Sequence, residues 1–179
     1  MAAHIALLKG VNVGGRKVLM AELRAMMADL GFADVQTLLQ SGNLVFTGGT
    51  RNGAALEAFL EEATAERFGI RTDYFVRTSE EWRATIAANP YAEEAERDAA
   101  HLLVMALKRP PEASAVEDLR AAITGSEYFQ VVGREAFIVF PDGIGESRLI
   151  TTVIDRKLGV RGTGRNWNTV LKLAALAEV

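Results

Sequence analysis

The sequence predicts an α+β fold. It reads as two ferredoxin-like halves of the split βαβ type, each with an antiparallel sheet, followed by a C-terminal helix. Two observations carry this reading. The order strand, helix, strand, strand, helix, strand runs through residues 4–77. The same order then restarts at Ala100, where the run Ala100-His101 through Lys108 resembles Ala3-His4 through Lys9 in its start and its end.

The elements follow in order. His4–Lys9 is a short apolar run closed by Gly10, the pattern of a central strand. A glycine-rich loop covers Gly10–Lys17. Leu19, Leu23, Met26, Met27 and Leu30 recur at helical spacing, which predicts a helix over roughly 20–30 with Gly31 as its stop. Val35–Gln40 and Leu44–Thr47 are strands, and Ser41-Gly42-Asn43 between them is turn chemistry. Leu56, Phe59, Leu60 and Ala63 mark a second helix closing at Phe68-Gly69, and Arg71–Arg77 is the fourth strand. Thr78 with Glu81 three residues on has the form of a capping box. It opens a short helix carrying Trp82 and Ile86 that stops before Pro90.

The polar, acidic stretch 91–99 reads as a linker, so residues 1–90 form the first half with its extra helix and 100–179 the second. There, Pro110-Pro111 breaks the chain after the first strand, and Val116, Leu119, Ala122 and Ile123 give a helix. Tyr128–Val132 and Glu135–Phe140 are strands joined at Gly133-Arg134, with a turn at Pro141-Asp142-Gly143. Leu149, Ile150, Val153, Ile154 and Leu158 give a helix ending at Gly159. Val160–Thr163 is a short last strand, and Asn166 or Asn168 caps the terminal helix.

Composition narrows the function. The chain has 179 residues, 49% hydrophobic and 24% charged, which is ordinary globular composition. It has no cysteine, so disulfides, thiolate metal sites and cysteine nucleophiles are excluded. No apolar run reaches the length of a membrane span, and the amino terminus lacks the pattern of a signal peptide. The expectation is a cytoplasmic protein. A net charge of −3 argues against a surface that is basic throughout.

Several polar groupings are candidates for chemistry. Gly10 to Gly15 has the glycine spacing of a phosphate loop, but Arg16 and Lys17 stand where a Walker loop needs Lys and then a hydroxyl. What remains is a simpler anion site built from Lys9, Asn12, Arg16, Lys17 and the loop amides, set against an ordinary strand-to-helix connection with solvated cations. Gln40, Ser41 and Asn43 offer amide and hydroxyl groups on a turn. Ser41 has no adjacent base and is no nucleophile. Arg165, Asn166, Trp167 and Asn168 form either a hydrogen-bonding cluster for a ligand or a helix cap with a packed indole. The two histidines, His4 and His101, lack companion ligands and read as exposed strand-edge residues. No metal site, cofactor motif or catalytic triad is assigned. Glu146 is placed at a helix start, where it suits the helix dipole.

These motifs carry a family resemblance. Leu7-Leu8-Lys9-Gly10-Val11-Asn12-Val13-Gly14-Gly15 resembles the opening signature of a bacterial family known as domain of unknown function 1697. Met20-Ala21-Glu22-Leu23-Arg24 and Leu39-Gln40-Ser41-Gly42-Asn43-Leu44-Val45-Phe46 continue it. Asn89-Pro90-Tyr91 and Gly164-Arg165-Asn166-Trp167-Asn168-Thr169-Val170 resemble its later blocks. Lys9 and Val11 stand where Arg and Ile are more usual, and Gly164 where Ala is common. The resemblance implies two ferredoxin-like halves and a cytoplasmic bacterial protein, and no activity.

Four functions follow as expectations. The first is a binding module for a small anionic ligand, phosphorylated ones included, using Lys9, Asn12, Arg16, Lys17, Gln40, Ser41 and Asn43, with Arg165, Asn166 and Asn168 from the second half. The second is nucleic-acid binding by the basic segment 156–172. The third is an enzyme using Asp142 or Glu146 in acid–base chemistry, which needs a perturbed carboxylate in a cleft. The fourth is a homodimer formed through exposed sheet edges or faces.

Overall fold

A computed structural model describes residues 3–15 and 17–178 of the chain. The first half contains β1 (Ala3–Leu8), α1 (Met20–Asp29), β2 (Ala33–Thr37), β3 (Asn43–Thr47), α2 (Gly53–Phe68) and β4 (Tyr74–Thr78). Helices α3 (Ser79–Ala87) and α4 (Ala92–Arg97) and a 3-10 turn at Ala99–His101 follow. The second half contains β5 (Leu102–Leu107), α5 (Ala113–Ala122), β6 (Tyr128–Val132), β7 (Glu135–Val139), α6 (Thr151–Leu158), β8 (Gly162–Asn166) and α7 (Trp167–Leu176).

The strands form two four-stranded antiparallel sheets, ordered β2-β3-β1-β4 and β6-β7-β5-β8. Each is the split βαβ arrangement, so the expected α+β duplication is the observed fold. By compactness the chain divides into Met1–Ala84 with Lys172–Val179, and Thr85–Leu171. The acidic stretch 91–99 carries the helix α4.

Strand alternation sets the first core. Ala6, Leu8, Leu44, Phe46, Tyr74 and Val76 pack with Leu23 and Met27 of α1 and Leu56 and Leu60 of α2. Ile5, Leu7, Val45 and Phe75 alternate with these residues and are buried as well. A sheet hidden on that face offers no open platform for stacking bases. In the second half Met105, Leu107, Phe129 and Ile138 pack with Leu119 of α5 and Ile154 and Leu158 of α6.

Helix ends follow local chemistry. Gly69 and Gly159 close α2 and α6 in the left-handed region, φ 66° and 64°. The capping box is made in both directions: the Glu81 N–H donates to Thr78 Oγ1 at 3.1 Å, and the Thr78 N–H to Glu81 Oε2 at 2.8 Å. This closes one end of β4, and α2 closes the rest. Glu61 accepts from the Tyr74 N–H at 2.9 Å and Glu57 from the Val76 N–H at 2.8 Å. The outward donors of this edge strand are therefore satisfied by side chains.

Five expectations are corrected. β2 is Ala33–Thr37 rather than 35–40, because Leu39 turns left-handed at φ 60° and the chain leaves the ladder after the Leu38 N–H bonds the Asn43 carbonyl at 3.0 Å. β4 starts at Tyr74 rather than Arg71. β8 is Gly162–Asn166 rather than 160–163, since its pairing with β5 continues to Leu103 opposite Asn166. Glu146 lies in a 3-10 turn at Ile144–Glu146, five residues before α6 begins at Thr151, so it serves no helix start. His4 is not exposed: β1 is a central strand, and the ring lies 5.4 Å from that of Phe46 with 7% of its surface accessible. His101 sits before β5, half-buried, with Nδ1 3.0 Å from Asp98.

Candidate functional site

The register of β1 against β3 pairs Leu7 with Asn43, so the carboxyl end of β1 and the amino end of β3 share one end of the sheet. The loop after β1 and the turn before β3 therefore meet. The Leu8 N–H donates to the Gly42 carbonyl at 2.9 Å. Asn12 Nδ2 donates to the Gln40 carbonyl at 2.5 Å, and Asn12 Oδ1 accepts from the Val18 N–H at 2.9 Å. Asn12 holds φ 59°, a left-handed conformation that asparagine tolerates better than most residues. One side chain thus ties the start of the loop, its end and the facing turn together.

The turn is braced from inside. Asn43 is fully buried, and its Nδ2 donates to the Leu38 carbonyl at 2.7 Å and to Ser41 Oγ at 3.0 Å. Gly42 has φ 81°, and a Cβ there would lie 2.7 Å from Val11 Cγ2 and 2.8 Å from Leu8 Cβ. Contact between loop and turn is close enough to require glycine. Lys9 is anchored through its backbone: its N–H donates to Asp73, and its carbonyl accepts from Thr72 Oγ1 at 2.6 Å.

The outer side of this assembly is open. Gly14 and Gly15 are left-handed, with nothing within 4 Å of where a Cβ would stand. Lys17, Gln40 and Ser41 are exposed. A shallow groove of about 570 Å³ adjoins the turn, lined by Leu19, Met20, Arg24, Thr37, Leu39 and Gln40. Leu19 and Leu39 are 60% and 54% exposed. Leu19 is expected on the buried stripe of α1 but precedes the helix as its cap and turns outward. Nothing in local periodicity distinguishes these two leucines from core residues.

The structure thus brings Lys9, Asn12, Lys17, Gln40, Ser41 and Asn43 together in one unit; Arg16 lies outside the described residues. Arg165, Asn166 and Asn168 belong to the other unit. Arg165 is buried on β8, where Nη1 donates to Thr163 Oγ1 and to the Gly164 carbonyl, both at 2.9 Å. Desolvation lowers its pKa to about 10. Asn166 caps α7: its Oδ1 accepts from the Thr169 N–H at 3.0 Å and from Thr169 Oγ1 at 3.2 Å. Asn168 is exposed, and Trp167 is packed at 7% accessibility.

The carboxylates proposed for acid–base work lie around a cleft of about 350 Å³ in the second unit, which also receives Glu127, Ser147 and Arg148. Asp142 and Glu146 are both exposed. Asp142 accepts from Ser126 Oγ at 2.5 Å, and Glu127 from Ser147 Oγ at 2.5 Å. Exposed carboxylates lack the desolvation that acid–base catalysis ordinarily uses. Among the described residues no group of His, Cys, Asp and Glu is arranged to hold a metal, and no helix is long and apolar enough to cross a membrane.

Three comparisons bear on identity. The family model described as a protein of unknown function, DUF1697, matches residues 1–137. The solved structure of the conserved bacterial protein SP0830 from Streptococcus pneumoniae is similar, with a TM-score of 0.72 and 23% identity over 98% of each chain. At that identity the likeness concerns the fold. No curated protein matches the chain significantly.

Proposed function

The chain belongs to the DUF1697 family, whose description assigns no activity, and from that premise we propose that it binds a small anionic ligand at the rim where the Gly10–Lys17 loop meets the Gln40–Asn43 turn. The observation that carries the reading is the bridge from Asn12 to Gln40, which makes one wall from two segments 28 residues apart. In this reading Asn12 and Asn43 are positioning residues, because their amides are engaged in holding loop and turn. The ligand contacts are Lys17, Gln40, Ser41 and the open backbone around Gly14 and Gly15, with Lys9 and Arg16 adding charge. A glycine-rich loop with open space around Gly14 and Gly15 and an exposed Lys17 beside it is suited to an anion. The body of the ligand would lie in the groove beside Leu19 and Leu39.

A thermal-shift screen against inorganic phosphate, sugar phosphates and nucleotides tests this reading. A ligand at one hundred times its dissociation constant stabilises the native state by about 2.7 kcal/mol. Lys17→Ala and Arg16→Ala are expected to weaken the shift. Absence of any stabilising anion, or a hit indifferent to both substitutions, would overturn the proposal. Basic segment 156–172 gains less support as a nucleic-acid surface, since Arg165 is committed to the interior.

A further inference from the structure

Each sheet has two edge strands, and three of the four are closed off. On β4, Glu61, Glu57 and Glu81 accept from the N–H groups of Tyr74, Val76 and Thr78. On β8, Asp155 accepts from the Gly162 N–H at 3.2 Å, and Arg165 adds a charged residue to the strand. β2 loses its register between Ala33 and Gln36, where Asp34 is left-handed. Bulges, charges and side-chain caps are the devices by which proteins protect sheet edges.

β6 has none of them. Its sequence, Tyr128-Phe129-Gln130-Val131-Val132, holds no charge, no proline and no bulge, and it pairs with β7 in unbroken register. The Leu107 N–H donates to the Arg134 carbonyl and the Phe140 N–H to the His101 carbonyl, so residues 134, 136, 138 and 140 of the β7 segment face β5. Glu135, Phe137 and Val139 therefore face β6, opposite Val132, Gln130 and Tyr128. The backbone groups of Phe129 and Val131 point away from the sheet. A groove of about 760 Å³ runs there. It is lined by Val116 and Arg120 from one side of the sheet and by Tyr91 and Gln130 from the other, which places its floor along the strand edge.

We propose that β6 is a self-association edge at which two copies of this chain pair antiparallel about a dyad at Gln130. The edge is self-complementary in that register. Phe129 of each copy exchanges both backbone hydrogen bonds with Val131 of the other. Tyr128 and Val132, which are 37% and 38% exposed, lie at equal distances either side of Gln130 and so face one another across the dyad. Registers centred on Phe129 or Val131 leave part of the strand unpaired. The inference is independent of the anion site, which lies in the other unit.

The absence of cysteine allows a direct test. Gln130 would sit opposite its own copy in a non-hydrogen-bonded pair, with Cα atoms about 4.5 Å apart, a separation that a disulfide spans. Sedimentation of the wild type from micromolar to millimolar concentration is expected to show a monomer–dimer equilibrium. Gln130→Cys should oxidise to a covalent dimer, while a control thiol at the exposed Lys172 should not. Val132→Lys should abolish the concentration dependence without lowering Tm. Exchange of the Phe129 and Val131 amides should slow as the wild-type concentration rises, which tests the edge without relying on any variant. A monomer at every concentration, or a dimer in which Gln130→Cys fails to cross-link and the Phe129 and Val131 amides gain no protection, overturns the proposal.

Discussion

Gly42→Ala tests the junction on which the candidate site depends. The new methyl would stand 2.7 Å from Val11 Cγ2 and 2.8 Å from Leu8 Cβ, at a residue held at φ 81°. Two costs combine. A left-handed conformation costs a non-glycine residue about 1–2 kcal/mol. Forcing a methyl into a packed contact costs about 1–3 kcal/mol. Gly14→Ala supplies the reference, since its φ is 58° but nothing lies within 4 Å of the added carbon. It should show the conformational cost alone, so the difference between the variants, about 1–3 kcal/mol, measures the packing of turn against loop. Urea denaturation reads both values, provided the m-value is unchanged. Val11→Ala in the Gly42→Ala background removes the nearer clash and should recover part of the loss, a non-additivity expected of touching residues. The Leu8 contact remains, so recovery is incomplete. If the two glycine variants agree within about 0.5 kcal/mol, loop and turn are not packed together and the single rim is wrong.

Three further outcomes are expected. Asn166→Ala should cost about 1 kcal/mol through loss of the α7 cap, while Asn168→Ala should leave chemical denaturation unchanged; equal effects would refute the capping role. Tyr74→Phe should cost about 1 kcal/mol in denaturation, because Thr64 donates to the Leu60 carbonyl and so accepts from the buried Tyr74 hydroxyl at 2.8 Å; an unchanged midpoint would show that this bond contributes nothing. Burial holds the His4 imidazole below its ordinary value of 6.5, against a smaller upward pull from Glu81. The native state then binds fewer protons than the unfolded one, so its stabilising share is complete above the unfolded value and is lost as pH falls through the native one. His4→Phe should flatten the acid side of a stability–pH curve, and a slope identical to wild type would remove His4 as its source.

Much of this chain was legible from local chemistry. Helices α2 and α6 stop at Gly69 and Gly159 because only a left-handed residue closes them cheaply. The Thr78–Glu81 box announces α3 because its hydrogen bonds span three residues. β2 was less legible: Leu38 and Leu39 look like strand residues. The strand ends there because Leu39 is left-handed and the buried Asn43 amide takes the Leu38 carbonyl, while the Leu38 N–H still bonds the Asn43 carbonyl.

The order of the strands and of the helices between them, and with it the α+β duplication, was determined by the sequence alone, through periodicities and stops that act within a few residues, whereas α4 lay in a stretch that read as a linker. Only the tertiary structure decided that Leu7 lies opposite Asn43, that the Gly10–Lys17 loop therefore meets the Gln40–Asn43 turn, and that His4 is buried in a central strand. The same holds for the closing of the β4 edge by Glu57 and Glu61 of α2 while β6 stays open. Register and strand order are set by contacts between residues tens of positions apart. An alternating apolar pattern is the same whether its strand is central or at an edge.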